Sequence, residues 1–129
     1  MNQTVVFTAP GNVELQDKAC PKPGAGEVLI ETEVSLVSTG TELTFLSGEC
    51  PEHPKWSTYI HYPMTSGYSN VGTVIETGEG VSKEWIGRKV ASFSKHAQYV
   101  TAKEAELRKI NYDIKPEEAA FFAIAEVGL

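Results

Sequence analysis

The sequence predicts a mainly β protein, a small barrel or sandwich with short helices at its margins. Residues 27–37 alternate apolar and polar side chains with a period of two, the spacing of a half-buried strand. About six short β-like runs follow one another between glycine and proline turns, as in barrels and sandwiches. The chain has 129 residues, 41% of them hydrophobic. That is the size of one domain, able to bury about two-thirds of its unfolded surface in one core.

The elements follow in order. Thr4 to Phe7 and Asn12 to Gln16 flank Pro10-Gly11, a turn pair, and read as a hairpin. Cys20-Pro21-Lys22-Pro23-Gly24-Ala25-Gly26 loses backbone donors at its prolines and order at its glycines, so it is a loop. The strand Glu27 to Val37 comes next. It places Val28, Ile30, Thr32, Val34 and Leu36 on a core face, with Leu29, Glu31, Glu33 and Ser35 largely in water. Thr41 to Ser47 predicts a short helix ended by Gly48 at the C′ position. Glu49 to Met64 holds three prolines, two histidines, Trp56 and two tyrosines and reads as a long surface loop, a feature usually tied to function. Gly67 to Thr77 returns to strand, with Val71, Thr73 and Ile75 opposed to Gly72 and Val74. Gly78-Glu79-Gly80 makes a turn, and Lys89 to Phe93 and Gln98 to Thr101 are further strands.

The carboxyl-terminal segment has a different pattern. Pro116 suits the first helical position, and Glu117 and Glu118 suit the positive end of a helix dipole. Ala119 to Ala125 and Val127 then place apolar groups all round the helix. Such a helix needs cover on every side, so a second domain or a second subunit is expected against residues 116–129. No repeat or flexible linker divides the chain, and residues 1–129 are read as one domain.

Eleven basic against seventeen acidic residues give a net charge of −6. With no Lys/Arg cluster, nucleic acid is not an expected partner. No apolar run reaches the ~20 residues of a membrane helix, and the amino terminus carries no secretory signal. Two cysteines, Cys20 and Cys50, make no disulfide framework and fit free thiols in a cytoplasmic protein. Cys50, His53 and His61 could contribute to a metal site, but structural zinc normally takes four ligands in close pairs.

Four stretches, PKPGAGEVLIETEVSLVSTGTEL, GYSNVGTVIETGEGV, IGRKVASF and HAQYV, followed by EEAAFFAIAEVGL, together resemble the amino-terminal GroES-like catalytic domain of the medium-chain dehydrogenase/reductase superfamily. The resemblance implies a partly open β-barrel whose carboxyl-terminal helix leads into a Rossmann domain. That nucleotide-binding half lies beyond Leu129, so the chain is expected to be a truncated piece. Zinc-dependent members place a Cys before Gly-Thr-Asp and a His in Gly-His-Glu as metal ligands. Here Ser38 and Thr39 precede Gly40-Thr41-Glu42, and Gly67 is followed by Tyr68 and Ser69. Neutral hydroxyls are poor zinc ligands. The four-cysteine structural-zinc lobe is also missing, so the resemblance is to the zinc-independent branch, with no metal expected. Gly78-Glu79-Gly80 is not a dinucleotide fingerprint. NAD or NADP is therefore expected to be bound mainly by the absent half.

The resemblance makes Ser38, Thr41, Tyr68 and His96 the candidate catalytic residues. Ser38 and Thr41 would orient or relay a proton to a substrate carbonyl in place of the metal; alternatively Ser38 or Thr39 caps the helix, with Thr41 and Glu42 in its first turn. Tyr68 would donate to a developing alkoxide, or else pack beside Tyr62 at the barrel rim. His96 would exchange protons near neutral pH, or else lie solvated in a turn. The function implied is the substrate-binding half of an NAD(P)-dependent oxidoreductase acting on a carbonyl, alcohol or activated alkene. A stand-alone, non-catalytic binding or scaffold module is the alternative.

Overall fold

A computed structural model describes residues 1–49, 60–111 and 113–127. Strands β1 (Asn2–Ala9) and β2 (Asn12–Lys18) form the predicted hairpin, turning at Gly11 with φ +75°. Then come β3 (Glu27–Ser35), α1 (Thr39–Ser47), β4 (Met64–Thr65) and β5 (Asn70–Thr77). After a 3-10 turn at Lys83–Trp85 follow β6 (Lys89–Ser92), β7 (Tyr99–Lys103) and β8 (Arg108–Lys109). Two helices, α2 (Pro116–Ala119) and α3 (Phe122–Val127), end the described chain.

The strands make two sheets, ordered β2-β1-β4 and β7-β3-β5-β6-β8. Residues 96–98 join them. The amide of Val5 donates to the His96 carbonyl and that of Gln98 to the Gln3 carbonyl, while the Thr32 amide donates to the Gln98 carbonyl. β2 and β8 remain edges, so the barrel is partly open, as predicted. Inside lie Val28, Ile30, Val74, Val90 and Val100, with Trp85 packed against them.

The strand faces differ from the expected alternation. Two β-bulges interrupt the pairing of β3 with β5: Leu29 opposes Glu76 while Ile30 opposes Val74, and Thr32 opposes Gly72 while Val34 opposes Val71. The first skips Ile75 and the second skips Glu33. A bulge re-aims the side chains beyond it. Ile75 is consequently turned outward, and Val34 and Leu36 pack in a second cluster with Val71 and Ala91 rather than beside Ile30. Leu29, expected in water, is buried. Gly72 permits the close approach of the two strands, since a Cβ there would collide with the Glu31 carbonyl and would lie 2.7 Å from Ile30 Cγ2.

That second cluster seats the carboxyl-terminal segment. Ala119 and Ala120 bury against Val71 and Ala91, and Phe122 packs on Phe93 with ring centroids 5.0 Å apart and the planes tilted by 58°. The Ser69 hydroxyl donates to the Ala120 carbonyl. The expected single helix from Pro116 is instead broken at Ala120–Phe121, where α2 ends and α3 starts. One face is covered, by this chain's own sheet. Phe121 and Ile124, 54% and 42% exposed, point away from it. No helix among the described residues is long and apolar enough to cross a membrane.

Candidate functional site

The site is built where β3 runs into α1. Gly48, in the left-handed conformation, caps the carboxyl end of α1 as the sequence predicts. At the other end Ser38 is the N-cap residue, but its side chain makes no capping bond. The Glu42 carboxylate takes that task instead, with Oε2 accepting the Ser38 amide at 2.5 Å. A first-turn carboxylate satisfies an orphan donor and favours the positive end of the helix. The Ser38 hydroxyl then serves as an acceptor for the Tyr68 phenol at 2.8 Å. Ser38 thus takes the expected N-cap place, with Glu42 in the first turn, but the capping bond is made by Glu42 and not by the Ser38 hydroxyl. The Tyr62 hydroxyl donates to the Phe45 carbonyl at 2.5 Å.

His96 is 8% exposed, not solvated in a turn. Its Nε2 lies 2.5 Å from Glu42 Oε1 and its Nδ1 2.6 Å from Ser35 Oγ. The Ser66 hydroxyl also donates to Glu42 Oε1, at 2.8 Å, and the His96 amide donates to the Ser66 carbonyl. Beside the imidazole sits Gly67 at φ +105°, where a Cβ would lie 2.7 Å from the ring. The next residue is Tyr68. Three donors thus meet the buried Glu42 side chain, and removing them would leave its desolvation cost unmet.

The structure thus gathers Ser38, Tyr68 and His96 into one cluster whose hub is Glu42. Thr41, half-buried on the first turn of α1, makes no hydrogen bond to the other three. Ser35, Ser66 and the hub role of Glu42 escape sequence reasoning. For Ser35 a faint signal exists, a hydroxyl following two glutamates on the supposed wet face; for Ser66 there is none.

Four places bear on cofactors and metals. The Gly78-Glu79-Gly80 turn is spoken for by structure: the Gly78 amide donates to the Glu27 carbonyl and Glu79 accepts from the Gly26 amide. No cluster of three or more His, Cys, Asp or Glu suited to a metal occurs among the described residues. Cys50 and His53 of the C-x-x-H pair lie outside them. At Ser38 and Tyr68 the donors are a hydroxyl and a phenol already paired with each other, a set that does not suit Zn²⁺. A groove of about 870 Å³ borders Gly26, Trp85, Leu107 and Lys109 and contains none of the candidate residues.

The family model described as the alcohol dehydrogenase GroES-like domain matches residues 24–120. The chain belongs to that family, as an amino-terminal domain of the medium-chain dehydrogenase/reductase superfamily. It is 33% identical over 72 residues to a 2-desacetyl-2-hydroxyethyl bacteriochlorophyllide A dehydrogenase of Cereibacter sphaeroides, covering 56% of this chain and 21% of the relative. An alcohol dehydrogenase of Cupriavidus necator is 29% identical over 90 residues, 70% of this chain and 22% of its own. Among solved structures, human synaptic vesicle membrane protein VAT-1 homolog-like protein superposes with TM-score 0.80 at 26% identity, over 100% of this chain and 43% of that one. A mycobacterial protein complexed with NADPH gives 0.72 at 28% identity, over 93% and 36%. The chain therefore spans well under half of each relative.

Proposed function

We propose that this chain is the substrate-binding catalytic half of an NAD(P)-dependent oxidoreductase that moves hydride to or from a carbonyl or alcohol carbon without a catalytic zinc. The observation carrying the reading is the Tyr68–Ser38 hydroxyl pair, held at 2.8 Å where zinc-dependent members of the family place metal ligands. Relatives named for oxidising alcohols, one of them for a hydroxyethyl group, favour alcohol/carbonyl chemistry over alkene reduction. A nicotinamide, when bound, supplies or takes the hydride.

The remaining work belongs to this chain's side chains. Tyr68 turns its phenol proton from Ser38 to the substrate oxygen and stabilises negative charge developing there. Ser38 accepts from Tyr68 between turnovers and holds the phenol in place. Thr41 lines the approach from the first turn of α1. His96, being buried, acts through its neighbours. The dinucleotide is bound by a second domain or subunit, whose place is the outward face of Phe121 and Ile124.

In the full-length oxidoreductase, Tyr68→Phe is expected to lower kcat about 10²-fold with a smaller change in KM, the loss typical of one oxyanion donor. An unchanged kcat would return Tyr68 to packing. The 129-residue chain alone should show no saturable NADPH binding at micromolar concentration in calorimetry, and tight binding there would overturn the division of labour.

A further inference from the structure

We infer that His96 is a positioning residue whose imidazole, locked in a single tautomer, sets the place of the Tyr68 phenol. The inference deepens the proposed role of Tyr68 and rests on that reading for its functional meaning.

Three observations carry it. First, both ring nitrogens are engaged, and the engagement is ordered. Glu42 as a carboxylate can only accept, so Nε2 carries the proton and donates to Oε1 at 2.5 Å. In the neutral ring Nδ1 then accepts from the Ser35 hydroxyl at 2.6 Å. With the ring neutral, this pair of partners selects the Nε2–H tautomer, as the hydrogen bond at one nitrogen sets the proton on the other in other histidines. Second, the ring is wedged against Gly67, where any side chain would overlap it. The ring therefore limits where Gly67 and the adjoining Tyr68 backbone can lie. Third, the same Glu42 that accepts from His96 holds the Ser38 amide through its other oxygen. Ser38 in turn accepts from Tyr68.

His96 thus controls the phenol from two sides. Its ring places the donor Tyr68 through Gly67, and its Nε2–H places the acceptor Ser38 through Glu42. Its main chain is fixed independently, the carbonyl accepting from Val5 and the amide donating to Ser66. The hub consequently ties β1, β3, α1 and the turn before β5 to one ring.

The test uses ¹⁵N- and ¹³C-labelled 129-residue chain and NMR. In the unsubstituted protein the His96 ring is expected to give the nitrogen pattern of a fixed Nε2–H tautomer, with Nδ1 unprotonated. The reverse tautomer, or an averaged pattern from a mobile ring, overturns the inference without any variant. His96→Gln keeps an amide donor within reach of Glu42 and removes the ring from Gly67. The expected result is a shifted Tyr68 ring signal, as the phenol leaves its place against Ser38. Tyr62, whose hydroxyl is held by Phe45 on α1, serves as the reference that α1 is intact and keeps its signal. If Tyr68 is unmoved in a folded His96→Gln protein, His96 does not position it. Because these readouts need no turnover, they separate from the kinetic test of Tyr68. A displaced phenol together with a kcat indifferent to Tyr68→Phe would sink the proposed reaction and leave the positioning role standing.

Discussion

The barrel interior and the polar hub beside it are both buried, yet they hold together by opposite means. Val28, Ile30, Val74, Val90 and Val100 are apolar and nearly interchangeable in kind, and their attraction has no direction. Glu42, His96, Ser35 and Ser66 are bound by short, directed hydrogen bonds around one carboxylate. A cluster of valines loses a little for each methyl removed and tolerates repacking. A charged hub loses nearly everything with one member, because the remaining groups stay buried without partners. The difference teaches where this domain is soft to substitution and where it is brittle.

Three measurements sharpen that contrast. Glu42→Ala should cost about 3–5 kcal/mol in urea unfolding, because it leaves the Ser38 amide, the Ser66 hydroxyl and His96 Nε2 without their acceptor, at about 1–3 kcal/mol for each buried unsatisfied group; a loss under about 1 kcal/mol would mean that water replaces the carboxylate and that the hub is not brittle. Ile30→Val removes one methylene from the interior and should cost about 0.5–1.5 kcal/mol, and a loss as large as that of Glu42→Ala would erase the distinction. Lys89→Ala breaks the ion pair with Glu33, whose side chains are 48% and 33% exposed. It should cost no more than about 1 kcal/mol, shrinking further in added salt, since exposed groups regain water when their partner is lost and the buried donors around Glu42 do not.

The same contrast explains how much could be read from the sequence. Val28 and Ile30 announce the interior because their spacing along β3 is itself the signal. Gly48 and Pro116 mark helix ends through local backbone chemistry, and the structure agrees with both. The hub has no such local mark. Its bonds join residues 24, 54 and 61 positions apart, and no periodicity encodes which carboxylate will meet which imidazole. Tyr68, Ser38 and His96 were reachable through the resemblance to a dehydrogenase domain, whereas Ser35 and Ser66, the partners that hold the cluster, were not. Bulges were equally hidden, and so Ile75 was placed with Val71 when the pairing with β3 skips it. The unbroken helix expected from Pro116 failed for a related reason: composition describes polarity, and the kink at Ala120–Phe121 coincides with an anchor, the Ser69 bond to the Ala120 carbonyl, that only the fold supplies.

The paired skips at Glu33 and Ile75 have a consequence for how this domain can change over generations. Because side chains along a strand switch sides at every step, one residue gained or lost in β3 or β5 with no bulge to absorb it would swap inner for outer along the rest of the strand, pulling Val34 and Val71 from beneath α2 or Ile30 and Val74 from the barrel. The bulges at Glu33 and Ile75 are places where these two strands already take up an extra residue and keep both faces in register.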